Sequence, residues 1–168
     1  MSILDEARAG QNWIERIANV IPGFKGYRDK ELRRDADKLQ REHLASRLEE
    51  CKRSLNDVAN AVTRSGSLDA INDVETARKR LDKLINRIRY ADRGYGGFFD
   101  AIKVDETKLE QAYQFDLGLI EGVDSIRGSA GQAAAAADVT AALRDLIAQI
   151  DAQDSRLAER EQILGGFR

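Results

Sequence analysis

The side chains best suited to chemistry are few. The chain has one histidine, His43, and one cysteine, Cys51. A single imidazole and a single thiol cannot build a zinc site without several carboxylates. No HExxH or ExxH spacing accompanies His43, so the metal sites that helical proteins commonly build are not expected. A Ser–His–Asp relay would have to use His43, which falls on an apolar seam of a helix, a poor place for a general base. Cys51 falls on the continuation of that seam. A reactive thiol needs an exposed, electropositive setting, whereas a seam thiol behaves as a small buried hydrophobe. Carboxylates are plentiful, with 29 Asp and Glu, yet the obvious ones lie on polar helix faces. A buried pair among them stays open.

Two glycine-rich segments are the remaining candidates. In Pro22-Gly23-Phe24-Lys25-Gly26-Tyr27-Arg28, a proline and two glycines force a turn that carries two aromatics and two cations. Phe24 and Tyr27 would plug the end of a bundle. The rival reading is a phosphate or headgroup site at a helix start, aided by Lys25 and Arg28. The segment lacks the GxxxxGK[ST] spacing of a nucleotide loop. In Gly94-Tyr95-Gly96-Gly97-Phe98-Phe99, three glycines close a helix, and Tyr95, Phe98 and Phe99 either anchor the crossing in the core or, if exposed, mark a contact surface. A pocket between helices lined by Tyr90, Tyr95 and Tyr113 is a further alternative.

These residues must be positioned by helices. Leu44, Leu48, Cys51, Leu55, Val58 and Val62 recur at steps of three and four, and Ala70, Val74, Ala77, Leu81, Leu84, Ile88 and Ala91 do the same. Two such seams separated only by Arg64-Ser65-Gly66-Ser67 predict a long antiparallel, coiled-coil-like hairpin over about 27–64 and 68–92. The first arm is longer than the second, so its start must overhang or be covered by the N-terminal or C-terminal helices. Leu32, Ala36, Leu39 and His43 are one residue out of phase with the later seam, so the two halves of that arm should face different neighbours.

The chain is read as one all-α domain, 1–168: an elongated helical bundle with an N-terminal helix (1–21), the hairpin (22–92), a Gly/aromatic connection (93–104), a C-terminal helix pair (105–164) and a short tail (165–168). The first C-terminal helix is expected to end near Ile126, with a break at Gly128-Ser129-Ala130-Gly131. The run Ala133–Ala137 is expected to be helical because alanine is the best helix former. Asp116, Glu121 and Asp124 should face solvent or the basic arm. In the last helix, Gln153 and Arg160 interrupt an otherwise apolar seam, which should weaken there.

Charge supports this layout. Hydrophobic residues make up 42% and charged residues 33%, enough for a core wrapped in wide polar faces. Residues 1–93 hold 20 Lys and Arg against 16 Asp and Glu, while residues 94–168 hold 7 against 13. The basic strip Arg80, Lys83, Arg87 therefore either faces acidic helices of the same chain or docks an acidic partner. A net charge of −2 and the absence of interleaved exposed aromatics argue against nucleic acid as a partner class. No cofactor is expected. The N-terminus lacks a signal-peptide pattern, and no apolar run approaches the roughly 20 residues that span a bilayer, so a cytoplasmic location is the simplest expectation.

The functional expectation is a non-enzymatic helical interaction or scaffold protein, self-associating or binding another protein. The second is a peripheral protein that meets an anionic membrane surface through the Trp13 helix or the Phe98-Phe99 loop. The third is a small-ligand binder or enzyme.

Overall fold

The computed structural model describes the backbone of residues 3–26, 33–90 and 106–165, and side chains over 12–26, 35–90 and 110–160. Five helices make up these residues: α1 (Ile3–Val20), α2 (Arg33–Ser65), α3 (Leu68–Tyr90), α4 (Glu106–Ala133) and α5 (Val139–Gly165). The fold is an all-α helical bundle.

The turn between α2 and α3 shows why the chain reverses there. Gly66 takes a left-handed φ of 71°, and its N–H reaches back to the carbonyls of Val62 (3.2 Å) and Thr63 (3.3 Å), closing α2. Ser67 then caps α3, its hydroxyl accepting the Ala70 N–H at 3.3 Å. Cross-helix contacts fix the direction. Lys52 pairs with Asp82 at 2.9 Å, Arg78 donates to Asn56 at 2.8 Å, and Arg89 meets Glu49 at 3.4 Å. Positions advance on one helix as they retreat on the other, so the two run antiparallel. The seam residues of both are buried, Leu44 to Val62 on α2 and Ala70 to Ile88 on α3.

α4 and α5 form a second antiparallel hairpin. Arg156 donates to the Gly118 carbonyl at 3.0 Å, and Gln149 donates to Ser129 at 2.9 Å. The two hairpins lie side by side. α3 runs parallel to α5, tied by Arg144 to Asp73 at 3.5 Å and by Arg80 to Asp151. α2 runs parallel to α4, tied by Arg127 to Glu50 at 3.0 Å. Going round the bundle the order is α2, α3, α5, α4, and α1 packs on α4. The connection from α3 to α4 therefore joins diagonal corners.

Two sequence expectations are corrected at the α4–α5 turn. α4 does not break at Gly128–Gly131 but continues to Ala133, and the turn falls on the alanine run instead. Burial decides this. Ile126, Ala130 and Ala133 continue the inward-facing stripe, and packing a continuous stripe outweighs the roughly 1 kcal/mol by which a helical glycine is worse than alanine. Asp138 then starts α5, its carboxylate accepting the Ala141 N–H at 3.0 Å.

The overhang of α2 is also resolved. At about 1.5 Å per residue α2 is roughly 50 Å long and α3 roughly 35 Å, so α2 outreaches it. Near its start, α2 is covered by the end of α1 and by α4 and α5. Ile17, Ile21 and Phe24 join the common core, with Leu39 packed against it, and a Cβ on Gly23 would meet Leu39 at 3.6 Å.

Candidate functional site

Where α2 extends past α3, the core turns polar. Asp37, Gln40 and Arg41 of α2, Asp116 of α4 and Arg160 of α5 are all buried. Arg41 clasps Asp37 from one turn away, its Nε and Nη2 both 2.8 Å from Oδ2. Arg160 bridges the helices. Its Nε donates to Asp116 Oδ1 at 2.6 Å, and its Nη2 donates to Asp37 Oδ1 at 3.2 Å. The side chains of Asp116 and Arg160 are 0% and 4% exposed. Two carboxylates and two guanidiniums balance formally, and they link three helices across as many as 123 residues of sequence.

This corrects the sequence reading of three residues. Asp37 is not on one of the polar helix faces to which the sequence assigns the acidic residues, Asp116 does not point to solvent, and Arg160 does not weaken the seam but is buried on it. The signal was present. Arg160 keeps the three-and-four step of Val139, Leu143, Leu146, Ile150, Gln153 and Leu157, and a charge at a buried register position requires a buried partner. Periodicity cannot identify that partner, because Asp37 and Asp116 lie on other helices. Such a quartet suits a tie that fixes helix register. Removing one member leaves an uncompensated buried charge, whereas the intact set barely offsets its own desolvation.

The candidates from the sequence divide as follows. Phe24 is buried and Lys25 exposed. Tyr27, Arg28, Tyr95, Phe98 and Phe99 lie outside the described residues. Arg80, Lys83 and Arg87 are brought together, against acids of the same chain: Arg80 pairs with Asp151, and Lys83 (3.7 Å) and Arg87 both pair with Asp154. The strip joins α3 to α5. Of the tyrosines, Tyr90 is exposed and Tyr113 enclosed, so these two do not share one lining. The α1 stripe is also committed inward through Ile17 and Ile21, with Trp13 and Ile14 packed against the core.

Cys51 is buried, and desolvation pushes its thiol up to about 11. It lines a shallow groove between α2 and α4 with Glu50, Ser54, Asp124, Arg127 and Gly128. His43 is half-buried on the same face of α2. Burial and then the Arg47 cation hold its pKa below the usual 6.5, with Arg127 acting alike and Asp124 and Glu50 opposing. With the folded value below the unfolded one, the unfolded chain binds the proton more readily. His43 therefore favours the fold fully above pH 6.5, and this contribution is lost as pH falls from there through the folded value. Urea midpoints should drop over that window in the native chain and drop less in His43→Gln.

A second groove, about 660 Å³, runs between α4 and α5 and is lined by small and polar residues including Gly122, Ser125, Gly128, Ser129 and Gln153. Gln153 lies across Gly122, where an added Cβ would sit 1.5 Å from its amide nitrogen. Its carbonyl oxygen is enclosed and accepts no hydrogen bond among the described residues.

Among the described residues, no three His, Cys, Asp or Glu side chains converge to hold a metal ion, and no helix is long and apolar enough to cross a membrane. Set against protein-family models, curated proteins and solved structures, the chain finds no significant match in any of the three.

Proposed function

We propose that the chain is a non-enzymatic helical interaction or scaffold protein that works by self-association. The observation that carries this reading is an exposed apolar cluster at one end of the bundle, beside seams that are buried from Leu44 to Val62 and from Ala70 to Ile88. Leu68, at the first turn of α3, is 76% exposed, and Ile71 is exposed one turn later beside it. The α4–α5 turn, at the same end of the bundle, contributes exposed Ala135 and Ala137. An exposed apolar cluster of this kind is a contact surface in search of a partner, and thin helical bundles complete such surfaces with further copies. The basic strip is taken up by Asp151 and Asp154 of the same chain, which disfavours an acidic partner there. Light scattering from micromolar to millimolar concentration tests the proposal: the average mass should rise towards a discrete oligomer. A monomer across the whole range would contradict self-association.

A further inference from the structure

We infer that the α4–α5 groove is a surface on which a second copy docks, two-fold about Ser125 and Gly128; this rests on the self-association proposed above and places a contact on a face other than the Leu68/Ile71 end. Three observations converge on it. The first is glycine usage. Gly122 is required by the chain itself, because Gln153 occupies the space a side chain would take. Gly128 is not: a Cβ there meets nothing within 4 Å, and the same is true of Gly131. Both lie inside α4, where glycine is worse than alanine. Packing of the inward stripe lets the helix continue through them, but the single chain gives no reason for glycine rather than alanine there, whereas close approach of another helix backbone would. Gly128 lies on the exposed ridge of α4 with Ser125, which is exposed too.

The second is Gln153. It is only 5% exposed, lines the groove, and has an enclosed carbonyl without a donor among the described residues. A buried carbonyl of this sort is normally satisfied, and the groove is the side from which a donor can come.

The third is charge. α4 and α5 are antiparallel, so the midpoint of Ser125 and Gly128 on α4 is level with about residue 150 on α5, judging by the Ser129–Gln149 and Arg156–Gly118 contacts. Arg156 lies six residues below this level and Asp145 five above it, roughly 8 Å each way. A two-fold axis at the midpoint therefore brings Arg156 of each copy level with Asp145 of the other. The Arg156–Asp145 pairing then occurs twice across the axis, as a self-complementary contact requires.

The test uses the full chain and three variants. Gly128→Gln adds a polar helix former where the single chain has room, so thermal unfolding at low concentration should not worsen while the dimer weakens at least tenfold. Ser125→Cys, whose new thiol is the only exposed one among the described residues, should yield a disulfide-linked dimer under mild oxidation. Leu68→Ser with Ile71→Ser is the control for the bundle end. If the native chain associates but Gly128→Gln leaves the dimer unchanged and Ser125→Cys does not cross-link, while the Leu68/Ile71 change abolishes association, the groove is overturned and self-association through the bundle end stands. If the native chain is a monomer throughout, both fall.

Discussion

Replacing Arg160 with alanine should cost about 3–5 kcal/mol of folding free energy, measured by urea unfolding at pH 7. This is a large fraction of the 5–15 kcal/mol that holds a typical domain together. The expectation follows from geometry rather than from a count of bonds. Arg160 touches two other helices, donating to Asp116 on α4 and to Asp37 on α2. Truncation leaves Asp116 inside the core without that guanidinium, and Asp37 with Arg41 alone. The companion experiment separates charge from packing. Replacing Asp37, Arg41, Asp116 and Arg160 together by leucine and methionine of similar volume should cost much less than Arg160→Ala alone, because desolvation of all four charges disappears with their attraction. A cost below about 1 kcal/mol for Arg160→Ala, typical of exposed pairs, would show that the quartet is open to water.

Leu55→Ala and Leu81→Ala should each cost about 2–5 kcal/mol, and the double variant should cost less than their sum by about 0.5–3 kcal/mol. Both side chains are buried, at 0% and 1% exposure. The Lys52–Asp82 and Arg78–Asn56 contacts place them at nearly the same level of the α2–α3 hairpin. Two leucines that share a seam share the cavity that either truncation opens, and coupling measures this sharing. Strict additivity would mean that the two seams do not face each other at this register.

The α2–α3 hairpin was the most legible part of the molecule. Its seams repeat at one period over many turns, and Gly66-Ser67 is a stop followed by a cap. Legibility fell where a local preference competed with a distant contact. The alanine run 133–137 has the highest helix propensity in the chain, yet the turn lies there, because Ala130 and Ala133 are needed against the core and the glycines before them are tolerated. The quartet was half legible. Arg160 and Gln153 keep the step of the last seam, although the sequence reading has the seam weaken at them, and nothing in the spacing tied Arg160 to Asp37 or Gln153 to Gly122. The basic strip was legible as a charge feature, and its alternatives were stated; only three-dimensional packing shows that Asp151 and Asp154 of α5 occupy it. Exposure of Leu68 and Ile71 could not be read, since an apolar residue at the start of a helix looks the same whether or not a neighbour covers it.

The account depends on α2 and α3 folding back on each other. Spin labels on Ser46→Cys and Asn86→Cys, in a Cys51→Ala background, test this directly by pulsed electron–electron resonance. Both positions are exposed, so labels should leave the packing alone. Packed helix axes lie about 8–10 Å apart, which with the label arms gives a narrow distribution near roughly 15–25 Å. If the two rods instead ran on as one helix through Ser65–Ser67, the offset of 40 positions would hold the labels about 60 Å apart. A distribution centred there, or one spread broadly between the two, would contradict the antiparallel hairpin on which the bundle, the quartet and the docking groove all rest.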